Sequence, residues 1–240
     1  MQDISYEKSF NLFLKNTNEK TIILKFINKN VKLDKKNSFL DIGGGDGTLA
    51  SVIAYKVKDA TIIEPNYFFV KKIKKIKNIN VINDRWENVD LKKKFDFILA
   101  AYVVTYFSET KRKLLIKKMY KALNVGGKII ILSVDSEKGS WRKIHTFFYK
   151  LMNHKHKSSD KKLKKIVKNY CTKTKTFKTY VVTKNIFKML SILEFDFLKY
   201  PNEFKKYKKN LAQFLSKYQN KDSSITLEMV HNAHIIIKNK

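Results

Sequence analysis

Cysteine, proline, arginine and glycine are all scarce in this 240-residue chain, and each scarcity excludes something. The one cysteine, Cys171, cannot form an internal disulfide and has no companion at metal-ligand spacing, so it reads as an ordinary thiol. No carboxylate or cysteine accompanies His154 and His156 in NHKHK, which read as exposed loop residues, and no metal is expected. No apolar run approaches the roughly 20 residues needed to span a bilayer. The opening MQDISYEKSF lacks the basic-then-apolar order of an export signal. The expectation is a soluble, unexported, cytoplasmic protein with no membrane partner. Acidic residues are also few, 21 against 51 lysines and arginines, for a net charge of +30. A field of that sign attracts phosphate backbones and anionic surfaces. Yet only Arg85, Arg112 and Arg142 carry the guanidinium fork on which readers of phosphates and bases lean. Lysine is spread along the whole length beside many asparagines. Two readings of the charge therefore stay open, a solvated lysine surface of compositional origin and a nucleic-acid footprint.

What is present is enough apolar residue, 43%, to bury a core as a single domain spanning 1–240. Apolar periodicity alternates between strand-like and helix-like segments. SFLDIG reads as a buried strand and TLASVIAYKV as a helix with Leu49, Val52, Ile53 and Val57 on one face. ATIIEP is a second strand, YFFVKKIKKI a basic amphipathic helix, and INVIND a third strand. FDFILAAYVV is apolar almost throughout, as strands covered on both faces are. SETKRKLLIKKMYKAL is a helix with Ser108 as N-cap, and GGKIIILSV a fifth strand. Such alternation builds a parallel sheet with right-handed crossovers and helices on both faces. Residues 1–30 are expected to form a helical cap and 38–134 the ligand-binding core. The lysine-rich stretch 139–180 reads as a lid or insertion, and 181–240 as the C-terminal part of the sheet. There VTKNIFKMLSIL is a helix capped by Thr183, EFDFLKYP a strand and AHIIIKN the last strand.

SFLDIGGGDGTLA packs four of the seven glycines into five residues behind the first strand. A turn that bare lets a ligand approach the backbone, since a side chain there would collide with it. A dinucleotide fingerprint wants G-x-G-x-x-G, but counting from Gly43 and Gly45 its last position falls on Thr48. The glycines instead run Gly43, Gly45, Gly47 behind Asp41. DIGGGDG resembles the acidic-x-G-x-G-x-G pattern of class I S-adenosylmethionine (SAM)-dependent methyltransferases. That resemblance implies a Rossmann-like, doubly wound, mostly parallel seven-stranded sheet, with SAM as cofactor and S-adenosylhomocysteine (SAH) as its product. It implies that Asp41, Gly43, Gly44 and Gly45 meet the methionine part of SAM. It further implies that Glu64, with Pro65 behind it, accepts the ribose hydroxyls. Asp84 would accept from the adenine amino group while Arg85 and Trp86 wall the ring in. Ala101 would end the fourth strand beside the cofactor.

A narrower resemblance extends past this half. YEKSFNLFLKNTNE, GGGDG, the EP after the second strand, GSW at residues 139–141, YVVTKNIFKMLSILEF and HNAHIII resemble segments of histamine N-methyltransferases and their relatives. They imply a monomeric enzyme acting on a small amine or imidazole. In that family a glutamine at the end of the fourth strand meets the imidazole, where this chain has Tyr102. One of the family's two lid tryptophans falls near His145. The implied catalytic candidates are Glu19, Tyr102, His145 and Asn232, with Glu19 brought towards Tyr102 and Asn232. Tyr6, Phe10, Tyr106 and Trp141 join them as substrate contacts, and Trp141 closes the lid.

Methyl transfer asks for alignment and dryness more than for reactive side chains. Phe13, Phe147 and Phe148 extend the aromatic set that could wall the acceptor, although such rings are often simply core. A small-molecule N-methyltransferase leads. A nucleic-acid methyltransferase is the alternative that the charge supports, although AAYVVTYF lacks the Asp/Asn-Pro-Pro-aromatic signature of base amino-methylating enzymes. A SAM-binding module without catalysis is the third.

Overall fold

The structure, a computed structural model, describes residues 3–154, 159–170 and 172–239, and of residues 3–7 and 159 the backbone alone. Two helices, α1 (Asp3–Asn16) and α2 (Glu19–Asn30), precede β1 (Ser38–Ile42). There follow α3 (Thr48–Ala54), β2 (Asp59–Ile63), α4 (Tyr67–Ile73), β3 (Ile79–Ile82) and β4 (Phe95–Ala101). A 3-10 turn, Val104–Tyr106, leads into α5 (Glu109–Lys121), β5 (Leu123–Val134), α6 (Ser140–Leu151) and α7 (Ser159–Val167). The chain ends with β6 (Thr172–Thr183), α8 (Ile186–Asp196), α9 (Pro201–Leu215) and β7 (Ile225–Ile237). The seven strands form one sheet in the order β3-β2-β1-β4-β5-β7-β6. The pairs β2–β3, β1–β2, β1–β4 and β4–β5 are parallel, and β7 runs antiparallel to β5 from Lys128↔Ile237 to Val134↔His231. This is the α/β, doubly wound, mostly parallel sheet that the alternating pattern requires.

The chain divides into two compact units, a larger one of Ile23–Val134, Ser159–Phe177 and His231–Lys240, and a smaller one of Met1–Ile22, Asp135–Ser158 and Lys178–Val230. In the larger unit, β4 and the IIIL run of β5 are buried on both faces, which is why they carry no alternation. Phe39 and Phe97 stack at 5.1 Å between the neighbouring strands β1 and β4. Leu115, Ile116 and Met119 of α5 pack with Leu40, Ile98, Ile129 and Ile131 of the sheet, and Ser108 caps that helix by accepting from the Lys111 N–H. In the smaller unit α1 packs on α8, and α6 and α8 on α9. Its centre is aromatic, with Phe148 fully buried and 4.2 Å from the Phe197 ring.

Several local expectations are corrected. EFDFLKYP is not a strand. Met189, Leu190, Leu193 and Phe197 recur at helical spacing and are buried together, so α8 runs on to Asp196, and Pro201 then starts α9. The cap of α8 is Asn185, whose side chain accepts from the Lys188 N–H at 2.9 Å, rather than Thr183, which is buried and donates to the Asn185 carbonyl. Residues 181–240 therefore contribute mainly helix and a single full strand. Helix α3 is short, and Val52 lies on its exposed side while Ala50 and Ala54 face inward. His154 is exposed, whereas His156 and Cys171 lie outside the described residues.

The stretch read as a lid, 139–180, contains α6, α7 and most of β6. Helix α7 is held by a buried polar cluster. Asp160 accepts the Ser133 hydroxyl at 2.6 Å and the Asn232 amide at 3.1 Å, and pairs with Lys164 at 3.0 Å. His234 stands 3.7 Å from the same carboxylate and shares its other ring nitrogen with Thr174. Leu163, Ile166 and Val167 follow Asp160 at helical spacing into the apolar core, so Lys161, Lys162, Lys164 and Lys165 decorate a helix rather than a loop. Burial raises the Asp160 carboxyl, but the hydrogen bonds from His234, Ser133 and Lys164 outweigh it and leave the pKa at about 2.

That depressed value has a sign. The group stabilises the fold above its unfolded pKa near 4, and its contribution, roughly 2 kcal/mol, is lost as pH falls from about 4 through 2. Asp160→Ala removes the carboxylate from beneath four partners and should cost about 3–5 kcal/mol in urea unfolding at neutral pH. It should also flatten the acid limb of the stability curve. A loss under about 1 kcal/mol would make the cluster incidental.

Candidate functional site

The carboxyl ends of β1, β2, β3 and β4 surround a cleft of about 370 Å³, in the range of small-molecule sites. In an open α/β sheet this is where ligands bind, because the loops there diverge to either side of the strand-order reversal. Ile42 and Gly43 come from the end of β1, and Pro65 and Asn66 from the end of β2. Arg85 and Trp86 follow β3, while Val103 and Phe107 follow β4.

The glycine turn decides the geometry. Gly43, Gly45 and Gly47 all have left-handed φ, at 69°, 55° and 75°. They are glycine for different reasons. A Cβ on Gly43 would stand 2.2 Å from Val103 Cγ2, so this glycine makes room for protein. A Cβ on Gly45 would meet nothing within 4 Å, so there the bare backbone faces open space. The Gly45 N–H donates to Glu64 Oε2 at 2.9 Å, and the Asn66 N–H to Glu64 Oε1 at 2.8 Å. Each carboxylate oxygen thus holds one backbone donor. Glu64 is buried, and that burial raises its pKa despite the two backbone donors. Asp41 is buried beneath the same turn, close enough that a Cβ on Gly44 would lie 3.2 Å from its Oδ2.

Behind β3, Asp84 accepts from the Arg85 N–H at 2.6 Å and from the Asn88 side chain at 2.9 Å, both on Oδ1. These bonds hold its carboxyl below the usual range, the Asn88 bond foremost. Trp86 is buried and does two things, lining the cleft and packing into the core with its indole N–H on the Leu115 carbonyl at 3.4 Å. Lys118 lies 4.6 Å over its ring and donates to the Trp86 and Glu87 carbonyls. Ala101 ends β4 opposite Leu132. Tyr102, next along, is half-buried, and its φ of 65° is left-handed. Its hydroxyl stands 2.9 Å from His231 Nδ1. Tyr106 is 80% exposed.

Asn232 belongs to the larger unit and donates to Asp160 within the buried cluster. In the smaller unit, Glu19 is buried in the first turn of α2, and Phe10 is half-buried with its ring 5.4 Å from Phe195. Trp141 is buried against Phe13, 5.9 Å away, and its indole N–H donates to Asp196 Oδ2 at 2.8 Å. His145 Nε2 meets the same oxygen at 2.8 Å. Phe147 stacks on Phe214 at 4.2 Å. The side chain of Tyr6 lies outside the described residues. Sequence reasoning missed Asn66, Val103 and Phe107 in the cleft, and His231 beside Tyr102. Nothing in their spacing sets them apart from ordinary cap, strand-end and core residues.

A family model described as a methyltransferase domain matches residues 15–170. A search of curated proteins returns no match. Among solved structures, the chain is similar to the YcgJ protein from Bacillus subtilis, with 14% identity and a TM-score of 0.64, covering 92% of this chain and 99% of that one. A putative methyltransferase from Bacillus halodurans is similar at 12% identity and TM-score 0.63, covering 90% and 99%. The N-methyltransferase NodS from Bradyrhizobium japonicum is similar at 13% identity and TM-score 0.53 over the full length of both chains.

The two glycines should separate on substitution. Gly43→Ala forces a methyl into Val103 and should cost about 1–3 kcal/mol in urea unfolding, beyond the left-handed strain. Gly45→Ala carries only that strain, about 1–2 kcal/mol. Equal losses at the two positions would mean that Val103 yields freely.

Proposed function

This chain belongs to the methyltransferase domain family, and we propose that it is a SAM-dependent enzyme that methylates a nitrogen of a small amine or imidazole. The observation that carries the cofactor is the pairing of Gly45, bare and facing open space, with the buried carboxylate of Glu64. The side chains present fit SAM. Glu64 would take the two ribose hydroxyls, Asp84 the adenine amino group, and Trp86, Val103 and Phe107 the faces of the adenine ring. Asp41, under the turn, would hold the cationic amino end. SAM would supply an electrophilic methyl, its C–S bonding pair returning to sulfur as an acceptor nitrogen's lone pair makes the N–C bond, so that the products would be SAH and the methylated nitrogen in its protonated form. The chain itself has to orient the acceptor and keep the reacting atoms dry. Tyr102, at the end of β4, is the side chain of the larger unit proposed to meet the acceptor. The likeness of YEKSFNLFLKNTNE and YVVTKNIFKMLSILEF to the histamine N-methyltransferases supports a small amine or imidazole. The net charge of +30 favours a second reading, methylation of nucleic acid.

Calorimetry should find micromolar or tighter binding of SAM and SAH and none of NAD. Gly45→Leu should abolish it while the protein still unfolds cooperatively, because the side chain occupies the ligand's space. Tight NAD binding without SAM binding would end the proposal. Incubating a metabolite extract with methyl-labelled SAM, followed by mass spectrometry, should label an amine. Labelling of tRNA or DNA that is sequence-selective and survives moderate salt would instead establish the second reading, since lysine contacts alone weaken steeply as salt rises.

A further inference from the structure

The ladder between β2 and β3 ends at the pair Ile63↔Ile82, with one further main-chain bond from the Glu64 N–H to the Ile82 carbonyl at 3.1 Å. Past that point a side chain takes over. Asn83, the first residue after β3, donates from Nδ2 to the Glu64 carbonyl at 2.9 Å and to the Pro65 carbonyl at 3.1 Å. Both partners are carbonyl oxygens, which only accept, so it is the amide nitrogen of Asn83 that faces them, with one hydrogen for each. Pro65 has no N–H of its own, so this corner cannot be fixed through a donor at that residue. The Asn83 amide therefore continues the edge of β3 across two residues at which the main-chain ladder has run out.

Those two residues carry part of the cleft. Pro65 and Asn66 line it, and the Glu64 carboxylate takes the Asn66 N–H on Oε1 at 2.8 Å and the Gly45 N–H on Oε2 at 2.9 Å. Asn66 in turn caps α4 by accepting from the Phe68 N–H at 2.9 Å. An unbroken series of bonds thus runs from Asn83 after β3, through the main chain and carboxylate of Glu64 after β2, to the glycine turn after β1. Asn83 itself is exposed and is not among the residues that line the cleft. Its two bonds go to main-chain atoms of the corner and to no other part of the site.

We propose that Asn83 is a positioning residue for the cofactor's ribose: by holding the Glu64 and Pro65 carbonyls it aims the Glu64 carboxylate, and so sets how tightly the protein grips a vicinal diol. This rests on the SAM reading of the cleft and deepens it by a residue that touches neither cofactor nor acceptor. Asn83 acts only through Glu64. The adenine and methionine ends of the ligand, which other residues are proposed to meet, do not depend on it.

The linkage can be read first without any ligand. In the full chain, the Gly45 amide should exchange its hydrogen slowly, and Asn83→Ala should speed that exchange roughly threefold to tenfold, the worth of one neutral hydrogen bond. Asn83→Asp keeps the shape but points oxygens at two carbonyls, and should speed it at least as much. Glu64→Ala removes the acceptor and sets the upper limit, beyond which the double variant with Asn83→Ala should add nothing. If Glu64→Ala does not fold, the two exposed Asn83 variants decide alone. Gly45 exchange that is indifferent to both Asn83 variants overturns the proposal. Calorimetry with SAH and its 2′,3′-dideoxy analogue then tests the ribose role. Asn83→Ala should weaken SAH roughly threefold to tenfold and leave the dideoxy analogue within about twofold of wild type. Equal losses on the two ligands would make Asn83 a general prop of the cleft and overturn the proposal, as would no loss on SAH. Failure of the wild type to bind SAH would strike the SAM reading, and the ribose role with it, whereas Gly45 exchange reports the Asn83–Glu64 linkage by itself.

Discussion

The close approach of the turn after β1 to the loop after β4 is the constraint on which the site depends. The strands are neighbours in the sheet, and at their ends the backbone of Gly43 lies against Val103 with no room for a Cβ. Because Gly43 yields that space, Val103 can form one wall of the cleft while Gly45, two residues on, leaves open space in front of its own backbone. Glu64 completes the arrangement from β2 by holding the Gly45 N–H. A bulkier residue 43 would push the β4 loop outward and take Val103, and with it Tyr102, out of place.

Two buried carboxylates in the same unit differ in how fully their oxygens are satisfied. Asp160 is surrounded by Ser133, Asn232, Lys164 and His234, and these partners hold it ionised against the cost of burial. Glu64 has two backbone donors, and burial still raises its pKa. The first has its charge neutralised from all sides and secures α7 to the sheet. The second retains capacity for further donors, which a ligand carrying two hydroxyls would fill.

The lysine excess is partly used inside the fold. Lys118 caps the Trp86 and Glu87 carbonyls and lies over the indole, and Lys238 donates to the Tyr120 and Leu123 carbonyls. Lys128 reaches the Asn30 carbonyl, and Lys72 lies 4.0 Å over the Phe68 ring. Long stems that pack on apolar surface while the ammonium finds a carbonyl explain why charge spread over the whole chain is compatible with a dense core.

The succession of the first five strands along the chain, the helix capped by Ser108 and the place of the glycine turn were legible in the sequence, because each rests on local chemistry. Period-two and period-3.6 burial, a serine oxygen meeting an N–H three residues on, and a backbone needing left-handed φ all act within a few residues. Where the local signal was ambiguous, packing chose: FDF in EFDF alternates like a strand, yet Phe197 joins Met189, Leu190 and Leu193 on a helical face of the aromatic core. The lysine-rich segment likewise looked like a loop until Ser133, Asn232 and His234, far away in sequence, supplied partners for Asp160. The different duties of Gly43 and Gly45, identical as letters, and the meeting of Tyr102 with His231 across 129 positions were decided by tertiary structure alone. Sequence determines which backbone conformations are affordable, but which side chain fills or leaves a given space depends on residues that only the folded sheet brings together.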